Sequence, residues 1–167
     1  MSAVVVTGLP GSGKTTLAAP LAARLGLPLL SKDTIKELLS DALGTGADPR
    51  DLGRVATHLL LGLAATMPSV VLESFFWPGL AEPELLALDR PLVQVHCRCA
   101  PGLARARFDA RLRDGTRHPV HHAMDDWDRF TGAAGLLDLP GPLVEVDTTA
   151  PVDVATVAAR VGDALSR

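Results

Sequence analysis

The chain has 167 residues, a formal net charge of −3 and a sequence pI near 5.9. This length fits one domain that buries about 70% of its unfolded surface, and mild acidity argues against a large nonspecific nucleic-acid interface. No basic-then-apolar leader precedes the first motif and no apolar run approaches the roughly 18 residues that span a bilayer, so a cytoplasmic protein with no membrane partner is expected.

Residues 3–7 (Ala-Val-Val-Val-Thr) read as a buried strand. Residues 8–15 (Gly-Leu-Pro-Gly-Ser-Gly-Lys-Thr) follow and fit G-x-x-x-x-G-K-[ST], the phosphate-binding loop. Gly8, Gly11 and Gly13 permit backbone conformations closed to residues with a Cβ, so successive N–H groups can turn toward phosphate oxygens. Lys14 then reaches the β- and γ-phosphates and the Thr15 hydroxyl suits a Mg²⁺ ligand, with Pro10, Ser12 and Thr16 completing the nucleotide-binding set. Leu17, Ala18, Leu21, Ala22 and Leu25 share one side of a helix over 14–25, and a strand, a glycine loop and a helix N-terminus form an anion site by geometry and dipole.

Short apolar runs at 28–31, 69–73, 92–97 and 142–146 read as further strands. Helical spacing recurs at 34–43, 51–67, 101–113 and 152–165, with a short helix within 78–88, a Gly-, Pro- and His-containing loop at 114–122 and a helical piece reaching 130. Five strands with helices between them indicate an α/β fold built on a doubly wound parallel sheet, because right-handed crossovers place helices on both faces. The apolar helix at 52–67 suits the core or a homodimer interface. Cys97 and Cys99 lie two apart on one strand, where they share a face and read as small buried side chains.

In open α/β sheets, ligands bind outside the carboxyl ends of the strands. The second strand ends at Ser31-Lys32-Asp33, where Asp33 can accept the proton of an attacking hydroxyl or cap the next helix. The third ends at Glu73, placed as a metal-site acid or as a contact to a substrate hydroxyl. Phe75, Phe76 and Trp77 follow it and hold three of the chain's six aromatic residues, so they read as a substrate-pocket wall or a core plug. After the fourth strand, Arg107 and Arg111 are four apart and face the same way on a helix, as do Arg105 and Asp109. Arginines on such a helix neutralise a moving phosphoryl group or form a solvated face. Arg117 and His118 are best placed in the next loop to meet phosphate or substrate, beside His121 and His122. At the last strand end, Asp147, Thr148 and Thr149 suit the edge of an adenine pocket, with Thr149 or Asp147 capping the final helix.

Together these positions resemble the small P-loop kinases of metabolites and antibiotics, a group that includes gluconate kinase, shikimate kinase and chloramphenicol phosphotransferase, with zeta-type toxins more distant. The resemblance implies a three-layer P-loop NTPase fold over 1–167, sheet order 2-3-1-4-5, a helical lid at about 101–122, ATP and Mg²⁺ as cofactors, and Asp33 as the base acting on a small-molecule hydroxyl. It also implies the usual triphosphate and Mg²⁺ roles for Lys14 and Thr15. The aromatic patch leans toward a bulky, weakly charged alcohol such as a nucleoside, sugar or antibiotic. A nucleotide switch or motor is the competing class, although D-x-x-G and N-K-x-D signatures are missing. A toxin-like kinase of a nucleotide sugar is another.

Overall fold

In β1 (Ser2–Thr7), Val4 and Val6 face one side and Ala3 and Val5 the other, and all four are buried. A strand covered on both faces belongs inside a layered sheet. β1 is the central one of five parallel strands in the order β2-β3-β1-β4-β5, with β2 at Leu29–Ser31, β3 at Ser69–Glu73, β4 at Leu92–Arg98 and β5 at Leu143–Asp147. This is the order implied by the resemblance. The structure, a computed structural model, describes residues 1–44, 46–121 and 127–166, so the expectation for His122 lies outside the described residues.

Helices α1 (Lys14–Leu25) and α7 (Val154–Leu165) cover one face, where Leu17, Leu21, Val157 and Val161 pack on Val4, Val6 and Val95. Helices α3 (Pro49–Thr66) and α4 (Glu82–Leu86) cover the other, where Leu60, Ala64 and Leu85 pack with Val5 and Leu72. Helix α2 (Lys32–Leu43) leans on α3. Helix α5 (Pro101–Arg113), a 3₁₀ turn at Pro119–His121 and helix α6 (Trp127–Gly132) follow β4. No helix among the described residues is long and apolar enough to cross a membrane.

Two boundaries differ from the sequence reading in ways that matter for the site. Helix α2 begins at Lys32, with extended Ser31 at its N-cap, so Asp33 sits inside the first turn and is not the cap. The cap of α7 is Asp153, whose carboxylate accepts from the Ala155 and Thr156 amides at 2.9 and 3.4 Å. Neither Asp147 nor Thr149 caps it; Asp147 instead accepts from the Thr149 amide at 2.9 Å to close the turn after β5.

The side of α3 that meets the sheet is set by residues one turn apart, and Leu60 on it is fully buried while its neighbour Leu59 is exposed. Replacing Leu60 with alanine removes transfer energy and leaves a cavity, which lowers stability by about 2–5 kcal/mol. Leu59→Ala stays within about 0.5 kcal/mol. Urea unfolding of both variants checks the assignment, and equal losses contradict it.

Candidate active site

The phosphate loop joins β1 to α1 at the centre of the sheet's carboxyl edge. Gly13 holds φ 89° at the N-cap of α1, and no side chain caps that end, so the first-turn amides face outward as donors. Gly11 is needed for a second reason: a Cβ there would lie 2.1 Å from the Ala104 carbonyl oxygen, because α5 rests directly on the loop. Lys14, only 8% exposed, folds over the loop and donates to the Leu9 carbonyl at 3.2 Å. Pro10, Gly11, Gly13, Lys14, Thr15 and Thr16 line a cavity of about 500 Å³. Gly8 and Ser12 do not; they lie under the loop, where the Ser12 hydroxyl is buried with no hydrogen-bond partner among the described residues.

At the end of β3, the Glu73 side chain is 2% exposed and is reached by two hydroxyls. Thr15 Oγ1 donates to Oε1 at 3.2 Å and Ser31 Oγ donates to Oε2 at 2.6 Å. Two hydroxyls around one carboxylate form an oxygen-only donor set that fits a hard cation such as Mg²⁺. Asp33 stands nearby on α2, 49% exposed, with Arg117 Nη2 3.8 Å from its carboxylate. Burial raises its pKa, but His121, Lys14, Arg117 and Lys32 outweigh that and hold the carboxyl below the usual aspartate range. Asp33 is therefore ionised at neutral pH.

Arg111 and Arg117 reach the cavity from α5 and the segment after it, each with a buried Nε that has no acceptor among the described residues. Such donors suit phosphate oxygens. The Arg117 guanidinium lies 4.4 Å over the Phe108 ring, which fixes its plane. Arg107, expected beside Arg111, turns away from the cavity and donates to the Thr148 and Thr149 carbonyls, both at 2.9 Å. The two carbonyls that follow β5 hold the Arg107 guanidinium, while Arg111 lines the cavity. Arg105 pairs with Asp109 at 3.1 Å, as their spacing predicts. Asp147 is exposed and paired with Arg98 at 3.4 Å, and Thr148 Oγ1 donates to the Arg98 carbonyl at 3.1 Å; both sit beside the loop and outside the cavity lining.

His118 is also displaced from the expected role. Its Nε2 lies 3.1 Å from Asp41 and its Nδ1 accepts from the Val120 amide at 3.2 Å, off the cavity. The 3₁₀ turn places His121 on the cavity instead, 2.9 Å from Glu37. Burial lowers the His121 pKa, with Arg117 and Lys36 acting in the same direction and Asp33 and Glu37 opposing, so the ring is neutral at pH 7. The aromatic wall is corrected in the same way. Phe75 and Trp77 line the cavity with Phe130, their rings 4.7–5.0 Å apart. Phe76, 4% exposed, points into the core with Leu60 and Leu85. Of the two free cysteines, Cys97 is buried, which pushes its thiol up to about 12.

Several further residues line the cavity. Lys32 and Lys36 flank Asp33 on α2; Arg50, Gly53, Arg54 and Thr57 form a stripe along α3; Arg129 lies 4.6 Å over the Trp77 ring. The α2 lysines were visible at one and three residues from Asp33, two of only three lysines in the chain. The α3 stripe was hidden inside a helix judged by its apolar residues.

Residues 4–137 match the AAA domain family. No curated protein matches the chain by sequence. Among solved structures, a candidate kinase from Chloroflexus aurantiacus J-10-fl is 33% identical with a TM-score of 0.89, covering 98% of this chain and 97% of that one. A gluconokinase from Sinorhizobium meliloti 1021 (17% identity, TM-score 0.61, 99% and 95% covered) and a shikimate kinase from Acinetobacter baumannii bound to shikimate (18%, 0.59, 99% and 92%) share the fold. With the family match spanning most of the chain and the phosphate loop at the centre of its sheet, the chain belongs to the AAA domain family and is a small P-loop kinase-type protein.

Proposed function

We propose that the chain transfers the γ-phosphoryl group of ATP to a hydroxyl of a small molecule. The observation that carries this reading is the position of ionised Asp33 on the same cavity as Lys14 and Thr15, with space beside it for an acceptor. A nucleotide switch needs no such chamber.

In this reading the loop amides and Lys14 hold the β- and γ-phosphates, and Arg107 with Asp147 and Thr148 borders the base. Thr15 and Glu73 hold Mg²⁺, which neutralises phosphate charge when bound. The acceptor hydroxyl lies against Asp33, which orients it and takes its proton as the bond to phosphorus forms. Arg111 and Arg117 face the transferred group and offset the charge spread over its oxygens. The segment 101–122 acts as the lid, and residues 1–167 act as one kinase domain.

Two substitutions test the assignment. Asp33→Asn leaves the Kd for Mg-ATP within about twofold and lowers kcat about 10²- to 10⁴-fold, the range of a lost general base; nucleotide binding by calorimetry and product formation by mass spectrometry read the two effects, and full turnover in the variant removes Asp33 from the mechanism. Glu73→Gln keeps an acceptor for one hydroxyl but removes the charge. It shifts half-saturation by Mg²⁺ upward at fixed ATP, about tenfold for a loss near 1.4 kcal/mol, and an unchanged Mg²⁺ titration contradicts the metal role.

A further inference from the structure

The cavity wall is far more cationic than its aromatic patch suggests. Among the described residues, eight lysines and arginines line it, against two carboxylates, Asp33 and Glu73. Glu73 already accepts from Thr15 and Ser31. Lys14, Arg111 and Arg117 suffice for a triphosphate, and Arg54 is paired with Asp51 along its own helix. Besides Arg50 on α3, which has interactions of its own, that leaves Lys32, Lys36 and Arg129. Lys32 and Lys36 are four apart and so share one side of α2, with Asp33 between them. The Lys36 ammonium donates to the Val120 carbonyl at 3.3 Å and has no ion pair among the described residues. Arg129 is laid over Trp77 with no carboxylate partner among them.

We infer that the acceptor is itself an anion: a hydroxyl compound carrying a phosphate or carboxylate drawn to the Lys32–Lys36 side of α2, with its body against Trp77 and Phe130. This rests on the kinase reading above and names the substrate class. Without a bound anion both ammonium groups carry a cost of burial that Asp33 only partly offsets. Burial lowers the pKa of Lys32, with Lys36 and Lys14 adding to the effect against Asp33; burial lowers that of Lys36, with Arg117 adding to it against Asp33 and Asp48. An anion beside them offsets this cost and satisfies donors that no described side chain satisfies, whereas a neutral alcohol leaves both lysines as they are. The bulky, weakly charged acceptor expected from the aromatic residues alone fits only half of the wall.

The test compares matched pairs under Mg-ATP: a nucleoside with its monophosphate, and a hexose with its phosphate and its aldonic acid, each followed by mass spectrometry for new phosphoester. The anionic member of at least one pair is expected to show kcat/KM about 10- to 100-fold above its neutral partner, the value of one charge-assisted contact. The phosphate and aldonic acid arms separate the two anions. Lys36→Met and Arg129→Met, both checked for unchanged thermal unfolding, lower that ratio about tenfold. Neutral acceptors used as well as anionic ones, or a ratio unmoved in both variants, overturn the inference. A second measurement is independent of turnover: with Mg-AMP-PNP saturating the nucleotide site, inorganic phosphate raises the Tm of the wild type and not of Lys36→Met. If no compound is phosphorylated, the kinase reading fails while this titration still decides the anion seat, and no phosphate-dependent rise overturns it.

Discussion

The buried carboxylate of Glu73 is the constraint on which the site is assembled. It ends β3, sits next to the centre of the sheet, and receives one hydroxyl from the phosphate loop and one from the end of β2. Burying such a group without partners costs several kcal/mol, and each hydroxyl bond to a charged acceptor returns about 1.5–3 kcal/mol. The two bonds therefore fix Thr15 and Ser31 relative to one another. The Ser31 hydroxyl donates to Glu73 and makes no side-chain cap on α2. The helix nonetheless starts immediately after it, which brings Lys32 and Asp33 to the cavity within one turn of the sheet edge. The distance between the phosphate loop and the acid on α2 is thus set by a side chain on a third strand.

The charge on Asp33 follows from the same crowding. Its cationic neighbours hold it ionised, and a carboxylate held below its ordinary range is a weaker base than a free one. That suits phosphoryl transfer through a loose transition state, in which little negative charge must build on the attacking oxygen before the phosphoryl group has largely left its donor. In the proposed reaction Asp33 contributes first by orienting the hydroxyl and only late by taking its proton. Burial lowers the pKa of His121 beside it, so at neutral pH the charge facing Asp33 comes from Lys14, Arg117 and Lys32.

What the sequence made legible was contiguous or periodic. The loop at 8–15 is one uninterrupted motif, and β1 and β3 announce themselves because both faces are buried. Phe76 was grouped with its neighbours as one patch, although in chain continuing from a strand 75 and 77 turn one way and 76 the other, and the core lies on the side of 76. His118 and His121 were not separable, since three residues apart they differ only by the pitch of a 3₁₀ turn that the loop composition does not specify. Arg107 and Arg111 were grouped by helix spacing, but the partner of Arg107 is a pair of carbonyls some forty positions away in the chain. Placement against a distant backbone is beyond any local pattern. The charge of the pocket was likewise scattered over α2, α3, α5 and α6, and only the fold sums it.

Helix α5 shows how the two halves of the cavity are kept in register. Its first turns lie on the loop, with the Ala104 carbonyl so close to Gly11 that no side chain fits between them. One turn later Arg107 is tied to the end of β5, and Phe108 is fully buried beneath the Arg117 guanidinium. Up to that point α5 is packed or hydrogen-bonded to the sheet's carboxyl edge. Beyond it, the Arg117 guanidinium rests on the ring of Phe108 with its Nη2 3.8 Å from the carboxylate of Asp33. The loop that grips the donor and the arginine that faces Asp33 are therefore positioned through one helix and its buried Phe108.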